Sequence, residues 1–281
     1  MNNQAPVSEI IRLRTSQRTY HPEPFTDDLR MIIERQVSAI TTGFLGGSLS
    51  FSLISLKDPI ISRMKLGTYG FIKGASYFIA GQITPVRNSF LEYGFALEKL
   101  ILDLTRMELG TCWLGGTFNR GEFARAIGLR EGNVIPAITP LGYATSIRRL
   151  GDRMIRLGAG SARRLPAGQL FFDQNPANPM VMDPELPFTG ILEAVRMAPS
   201  ASNNQPWRIV ADGNRFLFYI CRKPGYQKAF SNVDMQMIDM GIAMAHFDLV
   251  AREKGKKPEW DNSVGSPSVD QWEYVISVFL P

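Results

Sequence analysis

Hydrophobic positions follow a helical period in some stretches of this chain and a two-residue alternation in others. Residues 7–14 and 27–40 read as amphipathic helices, the second with Thr26 placed to cap it and Asp27 and Asp28 in its first turn. The clearest helix is 89–109, where Leu91, Phe95, Leu100, Leu104 and Met107 recur on one face and Gly110 stands just past the last turn. A short helix over 120–127 stops at Gly128, and 189–197 and 235–254 continue the helical pattern later in the chain. Strands are predicted over 49–56, 75–83 and 135–143. A hairpin over 207–220 turns at Asp212, Gly213 and Asn214, and a last strand covers 272–280.

Residues 36–56 carry no acidic or basic side chain after Arg35 and are long enough to test as a membrane span. Gly43, Gly46 and Gly47, with Ser48, Ser50 and Ser52 at alternate positions, instead give a loop followed by a half-buried strand. The stretch 173–187, DQNPANPMVMDPELP, is rich in proline and asparagine and has no periodicity, so it divides the chain into 1–172 and 173–281. The two long helices echo one another. Glu92-Tyr-Gly94-Phe-Ala96, followed by Leu100 and Leu102, matches Asp239-Met-Gly241-Ile-Ala243, followed by Phe247 and Leu249. An acid early in each helix complements its dipole, and the Gly and Ala positions form a flat stripe for close helix approach. The expected architecture is α+β: two tandem halves, each a mostly antiparallel sheet packed by helices.

Composition narrows the function classes. The 281 residues are 44% hydrophobic and 20% charged, enough for a sizeable core. Thirty-one basic against 26 acidic residues give +5, a mild bias in scattered positions. The densest basic groups, Arg148-Arg149 with Arg153, Arg163-Arg164 and the lysines between 254 and 257, suit a local anion site rather than nucleic acid. Cys112 and Cys221 are far apart and fit no metal or redox spacing. Ile10 and Ile11 sit among polar neighbours, so no secretory signal is expected, and a cytoplasmic, non-membrane protein is.

Four stretches carry candidate chemistry. RLRTSQRTY places Arg14 and Arg18 around Thr15 and Ser16, offering guanidinium forks and hydroxyls at the end of the first helix. GTCWLGG joins Trp113 and Leu114 to Gly115 and Gly116, which let backbone come close to a planar ring. A late basic pair, Arg163-Arg164, follows Gly158 and Gly160. APSASNNQPW collects Pro199, Ser200, Ala201, Ser202, Asn203, Gln205 and Pro206 on one elbow, whose carboxamides match an alternating N–H and C=O ring edge. Taken singly, a solvated helix end, a core tryptophan, surface charge and an ordinary turn would explain them.

Together these stretches resemble the FMN-dependent nitroreductase family and its tandem-repeat subgroup, over nearly the whole chain. The resemblance implies a nitroreductase-like fold closed as a single-chain pseudo-dimer, with further self-association open. It also implies FMN as cofactor and hydride transfer from NADH or NADPH to a small-molecule acceptor, nitroaromatic, quinone or similar. Arg14, Thr15, Ser16 and Arg18 would contact phosphate, ribityl and pyrimidine; Trp113, Leu114, Gly115 and Gly116 would lie on one ring face. Arg163 and Arg164 would complete the phosphate site, and Pro199, Ser200, Ala201, Asn203 and Gln205 would supply the ring edge. No protein side chain is expected to act as a catalytic acid or base, and no metal is expected, because the flavin carries the chemistry. His246 is expected to pack within its helix and His21 to be at most a minor phosphate contact.

The two halves depart from the family pattern in complementary ways. The first has the arginine and Trp-Gly stretches but shows SAITTGFLGG where an elbow would fall; the second has the elbow but no R-x-S-x-R stretch near Pro187. One composite flavin site per chain follows. The alternatives are a flavin enzyme acting differently, a carrier, sensor or degenerate flavin binder without turnover, and a purely structural pseudo-dimer.

Overall fold

A computed structural model describes residues 5–64, 66–145, 163–226, 232–263, 269 and 271–281. The helices are α1 (Val7–Leu13), α2 (Asp27–Ser38), α3 (Arg87–Arg106), α4 (Arg120–Ala126), α5 (Thr189–Met197) and α6 (Met235–Glu253). The strands are β1 (Ser50–Ser55), β2 (Tyr77–Gln82), β3 (Leu109–Thr111), β4 (Ile138–Tyr143), β5 (Phe171–Asp173), β6 (Trp207–Asp212), β7 (Arg215–Ile220), β8 (Glu259–Asp261) and β9 (Glu273–Phe279). Thr26 caps α2 as its sequence predicts, its hydroxyl accepting from Leu29 N at 3.3 Å. The charge-free stretch is a loop followed by β1. Among the described residues no helix is long and apolar enough to cross a membrane.

The strands form two sheets, ordered β1-β2-β4-β3 and β5-β6-β7-β9-β8. Without β5 the two orders coincide: an antiparallel pair, then the last strand of the set, then a short edge strand. The repeat glimpsed in the helices therefore extends to the sheets, and the fold is α+β in two tandem halves. Every pairing is antiparallel except that of β5, which adds in parallel to the outer edge of β6. The short strands β3, β5 and β8 have three residues each, too few to show an alternation in sequence.

Between the sheets α3 and α6 cross, and the crossing is made by the echoed glycines. A Cβ built on Gly94 would fall on the carbonyl oxygen of Ile238, and one on Gly241 would fall on that of Leu91. Only hydrogen at both positions lets the two backbones touch. One apolar core runs from Ile33 and Leu97 through Ile238 and Phe247 to Trp207 and Ile276, so the halves share their interior.

Three sequence expectations are corrected here. α3 ends at Arg106, not beside Gly110; Glu108 takes the left-handed conformation (φ 63°), and Gly110 lies in β3, paired with Gly142. Glu92 and Asp239 do not serve the helix dipoles. Both are buried past the first turn and accept from loop backbone instead: Glu92 from Leu45 N and Gly47 N at 2.8 and 3.0 Å, Asp239 from Ala201 N at 2.8 Å. Finally, Thr15, Ser16 and Arg18 are not on the end of α1, because Arg14 leaves the helical region (φ −58°, ψ 120°) and the chain runs on extended.

Candidate cofactor site

The extended run after α1 is fixed by backbone pairing on both sides. Gln17 N donates to Thr111 O at 2.8 Å, beside the start of the Trp-Gly stretch, and Lys73 N donates to Arg18 O at 2.9 Å. The arginine and Trp-Gly stretches of the first half thus lie side by side. The Trp-Gly turn is itself anchored. Leu114 exchanges both backbone hydrogen bonds with Ile138 at 2.9 Å, and Arg120 Nη2 donates to Gly115 O at 2.5 Å. Gly115 is pressed on Met235 at the start of α6, where a Cβ would collide with the Met235 methyl group, so the turn touches the second half. Gly116 is exposed, and Trp113 is half-buried with its indole N–H donated to Glu98 Oε2 at 2.7 Å.

The elbow follows α5 and is strained. Ser202, Asn203 and Gln205 have φ of 52°, 54° and 48°, left-handed values that cost a non-glycine residue about 1 kcal/mol or more each. Three clamps hold it: Asp239 on Ala201 N, Ser200 Oγ accepting from Gln205 N at 2.9 Å, and a 3.2 Å contact between the Ser202 and Tyr226 hydroxyls. Burial pushes the Asp239 carboxyl well above its usual range, only partly opposed by the Ala201 N–H, with the charge of Asp234 adding to the rise.

The carboxamides meet protein groups. Gln205, 2% exposed, accepts from Leu165 N at 2.9 Å, and its amide donates to Asn203 O at 3.1 Å. Asn203 donates to Arg163 O at 2.7 Å and accepts from Arg164 Nη1 at 3.1 Å, while Arg164 Nη2 reaches Met197 O at 3.0 Å. The elbow therefore carries the late basic segment on its back. The Arg163 side chain is exposed, and Gly158, Gly160, Arg148, Arg149 and Arg153 lie outside the described residues.

These pieces converge. Burial lowers the proton affinity of Arg164, and the neighbouring charges of Arg14 and Arg196 lower it further, so Arg14 and the elbow-bound Arg164 feel each other directly. Arg196 is paired with Glu193 at 2.8 Å, whereas Arg14 forms only a loose ion pair with Glu98, at 3.9 Å and without a hydrogen bond, among the described residues. The Nε of Arg14 and Nη1 of Arg18 are buried with no hydrogen-bond partner among the described residues. A buried unmade hydrogen bond costs about 1–3 kcal/mol, more for a charged group, so each of these nitrogens is an unmet donor. His21 is exposed, its backbone N–H on Tyr143 O.

Beside the candidate site, Glu98 escaped sequence reading, and so did its link to His246. Glu98 sits at 0% exposure on α3, tied to Trp113, and His246 on α6 bonds it through Nε2 at 2.9 Å while Nδ1 meets Ala194 O at 2.8 Å. His246 does pack inside its helix pair, as expected, but with both ring nitrogens engaged. The signal for Glu98 was present: it is an acid on the apolar face that Leu91 and Phe95 begin.

The pseudo-equivalent place in the other direction is closed. Glu92 holds the loop containing Gly43 and Gly47 as Asp239 holds the elbow, and any Cβ on either glycine would strike the Glu92 carboxylate. Trp260 stands as far along the chain from Asp239 as Trp113 does from Glu92, and its indole also donates to a helix acid, Asp248, at 3.1 Å. Its ring is packed among Phe44, Phe95, Phe218 and Phe247 at 5.4–6.5 Å between centroids.

Fold and contacts together define a two-half α+β protein in which an arginine-bearing segment of the first half lies near a basic segment held by the strained amide elbow of the second. The sequence profile described as "Putative TM nitroreductase" matches residues 6–251, and the chain belongs to this nitroreductase family, a family of oxidoreductases. Among solved structures, a nitroreductase from Thermotoga maritima is 20% identical, with 98% of this chain and 93% of that one covered at a TM-score of 0.60; this supports the shared fold. An FMN-bound nitroreductase from Desulfitobacterium hafniense is 18% identical over 53% of this chain and 92% of its own, TM-score 0.42. A Desulfovibrio desulfuricans protein in complex with FMN is 22% identical over 53% and 95%, TM-score 0.38. No curated protein matches the chain.

Proposed function

We propose that this protein is an FMN-dependent oxidoreductase with one composite site per chain, passing hydride from NADH or NADPH to a nitroaromatic, quinone or similar acceptor. Residues 1–172 supply the arginine and Trp-Gly segments, and 173–281 supply the elbow. The observation that carries the reading is the buried Nε of Arg14, without a hydrogen-bond partner and close enough to the elbow-bound Arg164 to act on its charge; the buried Nη1 of Arg18, four residues on, also lacks a partner. FMN fits that donor set: its phosphate is a dianion and its pyrimidine edge accepts hydrogen bonds.

When bound, the flavin supplies the hydride chemistry. The chain's residues bind and orient it. Arg14, Thr15, Ser16, Arg18 and Arg164 hold phosphate and polar edge, with Arg163 contributing charge at the rim. Trp113, Leu114, Gly115 and Gly116 set the approach to one ring face, the glycines by lacking side chains. Pro199, Ser200, Ala201, Asn203 and Gln205 close the other side; Asn203 and Gln205 also lock the 163–165 segment in place. The aromatic packing around Trp260 supports a single site rather than two. The proposal includes the cytoplasm as location.

The test is direct. Purified protein titrated with FMN should quench flavin fluorescence at one FMN per chain, and anaerobic NADH or NADPH should bleach the bound flavin. Arg14→Ala and Asn203→Ala should each weaken FMN by about tenfold or more, although they lie in different halves. Unchanged affinity in either variant refutes the composite site; tight FMN that neither nicotinamide reduces would make the protein a flavin binder without turnover.

A further inference from the structure

Both ring nitrogens of His246 face acceptors: the Ala194 carbonyl at 2.8 Å and the Glu98 carboxylate at 2.9 Å. A carbonyl cannot donate, so Nδ1 carries a proton, and the Nε2 contact requires another, on the ring or on the carboxyl group. Wherever that second proton rests, the His246–Glu98 pair has no net charge. Trp113 completes the carboxylate by donating to Oε2. Arg14 lies 3.9 Å from Oε1 with its Nε unpartnered. A carboxylate at this depth without the imidazole would draw the guanidinium from this loose 3.9 Å ion pair into a hydrogen-bonded one.

We infer that His246 is a positioning residue: by cancelling the charge of Glu98 from across the half-to-half boundary, it leaves Arg14 free to hold the anionic part of the cofactor. The inference rests on the FMN reading above. It gives the contact between α3 and α6 a second task, because docking the halves brings the imidazole onto the carboxylate and so releases Arg14. Among the described residues, Arg14 after α1, Trp113 after β3 and His246 on α6 face Glu98. Arg164 adds positive charge from the segment carried by the elbow.

The experiment is a double-mutant cycle read as FMN affinity by fluorescence quenching, with melting temperature as a folding control. His246→Gln keeps one donor for Glu98 but cannot bring the second proton; it should weaken FMN by about tenfold. Glu98→Gln, whose amide can donate to a neutral imidazole and accept from Trp113, should hold FMN within about threefold of wild type. Combining the two should restore most of the affinity that His246→Gln loses. A purely structural histidine would give no such rescue. Undiminished binding in His246→Gln, a loss that Glu98→Gln fails to repair, or a large loss in Glu98→Gln alone overturns the inference while the flavin reading stands; absence of FMN binding by the wild type overturns both.

Discussion

Asp239 shows how a single residue is used against its ordinary chemistry. It is 1% exposed, gives one oxygen to Ala201 N, and its Oδ2 has no partner among the described residues. Because burial raises its folded-state proton affinity above that of the unfolded chain, the native state binds more protons between the two ranges, and stability falls as pH rises through that window. Asp239→Asn keeps the acceptor for Ala201 and removes the penalty. Thermal melts should show the variant gaining a few degrees over wild type at neutral to alkaline pH, with the gain shrinking toward acid pH. A constant difference at all pH values would show that folding does not raise the carboxyl's proton affinity. The sequence marked Asp239 as half of an echo, but its burial and its grip on the elbow depend on a chain reversal that periodicity does not encode.

At the scale of elements, the helix crossing is where the repeat has its physical cause. Gly94 and Gly241 are each in contact with the other helix's carbonyl oxygens, so a methyl group at either forces the axes apart through a close-packed interior. Gly94→Ala and Gly241→Ala should each cost about 2–3 kcal/mol in urea unfolding, although alanine is the better helix former by about 1 kcal/mol. Gly121→Ala is the control: it lies in α4, where an added Cβ would meet Asn119 Oδ1 at an ordinary 3.6 Å, and it should be neutral or stabilising. If all three behave alike, the crossing is looser than described. The stripe was legible because two glycines recur in the same local pattern. That they meet each other, rather than some third element, was not, because sequence spacing reports a face and not its partner.

For the whole molecule, one core joins both sheets to the crossed helices, and salt links such as Arg87–Glu273 at 3.0 Å tie the first half to the second. The chain should therefore unfold in one calorimetric transition, and FMN should raise its midpoint, by mass action, in proportion to the logarithm of free FMN. Two separated transitions would mean that the halves are independent.

The sequence by itself determined the long helices, the hairpin, the repeat, the family and the short stretches rich in arginine, glycine and amide, because each of these is written in neighbouring residues. It misjudged the α3 terminus, where Glu108 rather than Gly110 adopts the positive φ. Only tertiary structure decided that Arg14 and Arg164 share one field, that Asn203 and Gln205 anchor the basic segment, and that Glu98, His246 and Trp113 meet. Those contacts join residues as far apart as 98 and 246, and hydrogen-bond partnership at that separation is set by how the halves pack.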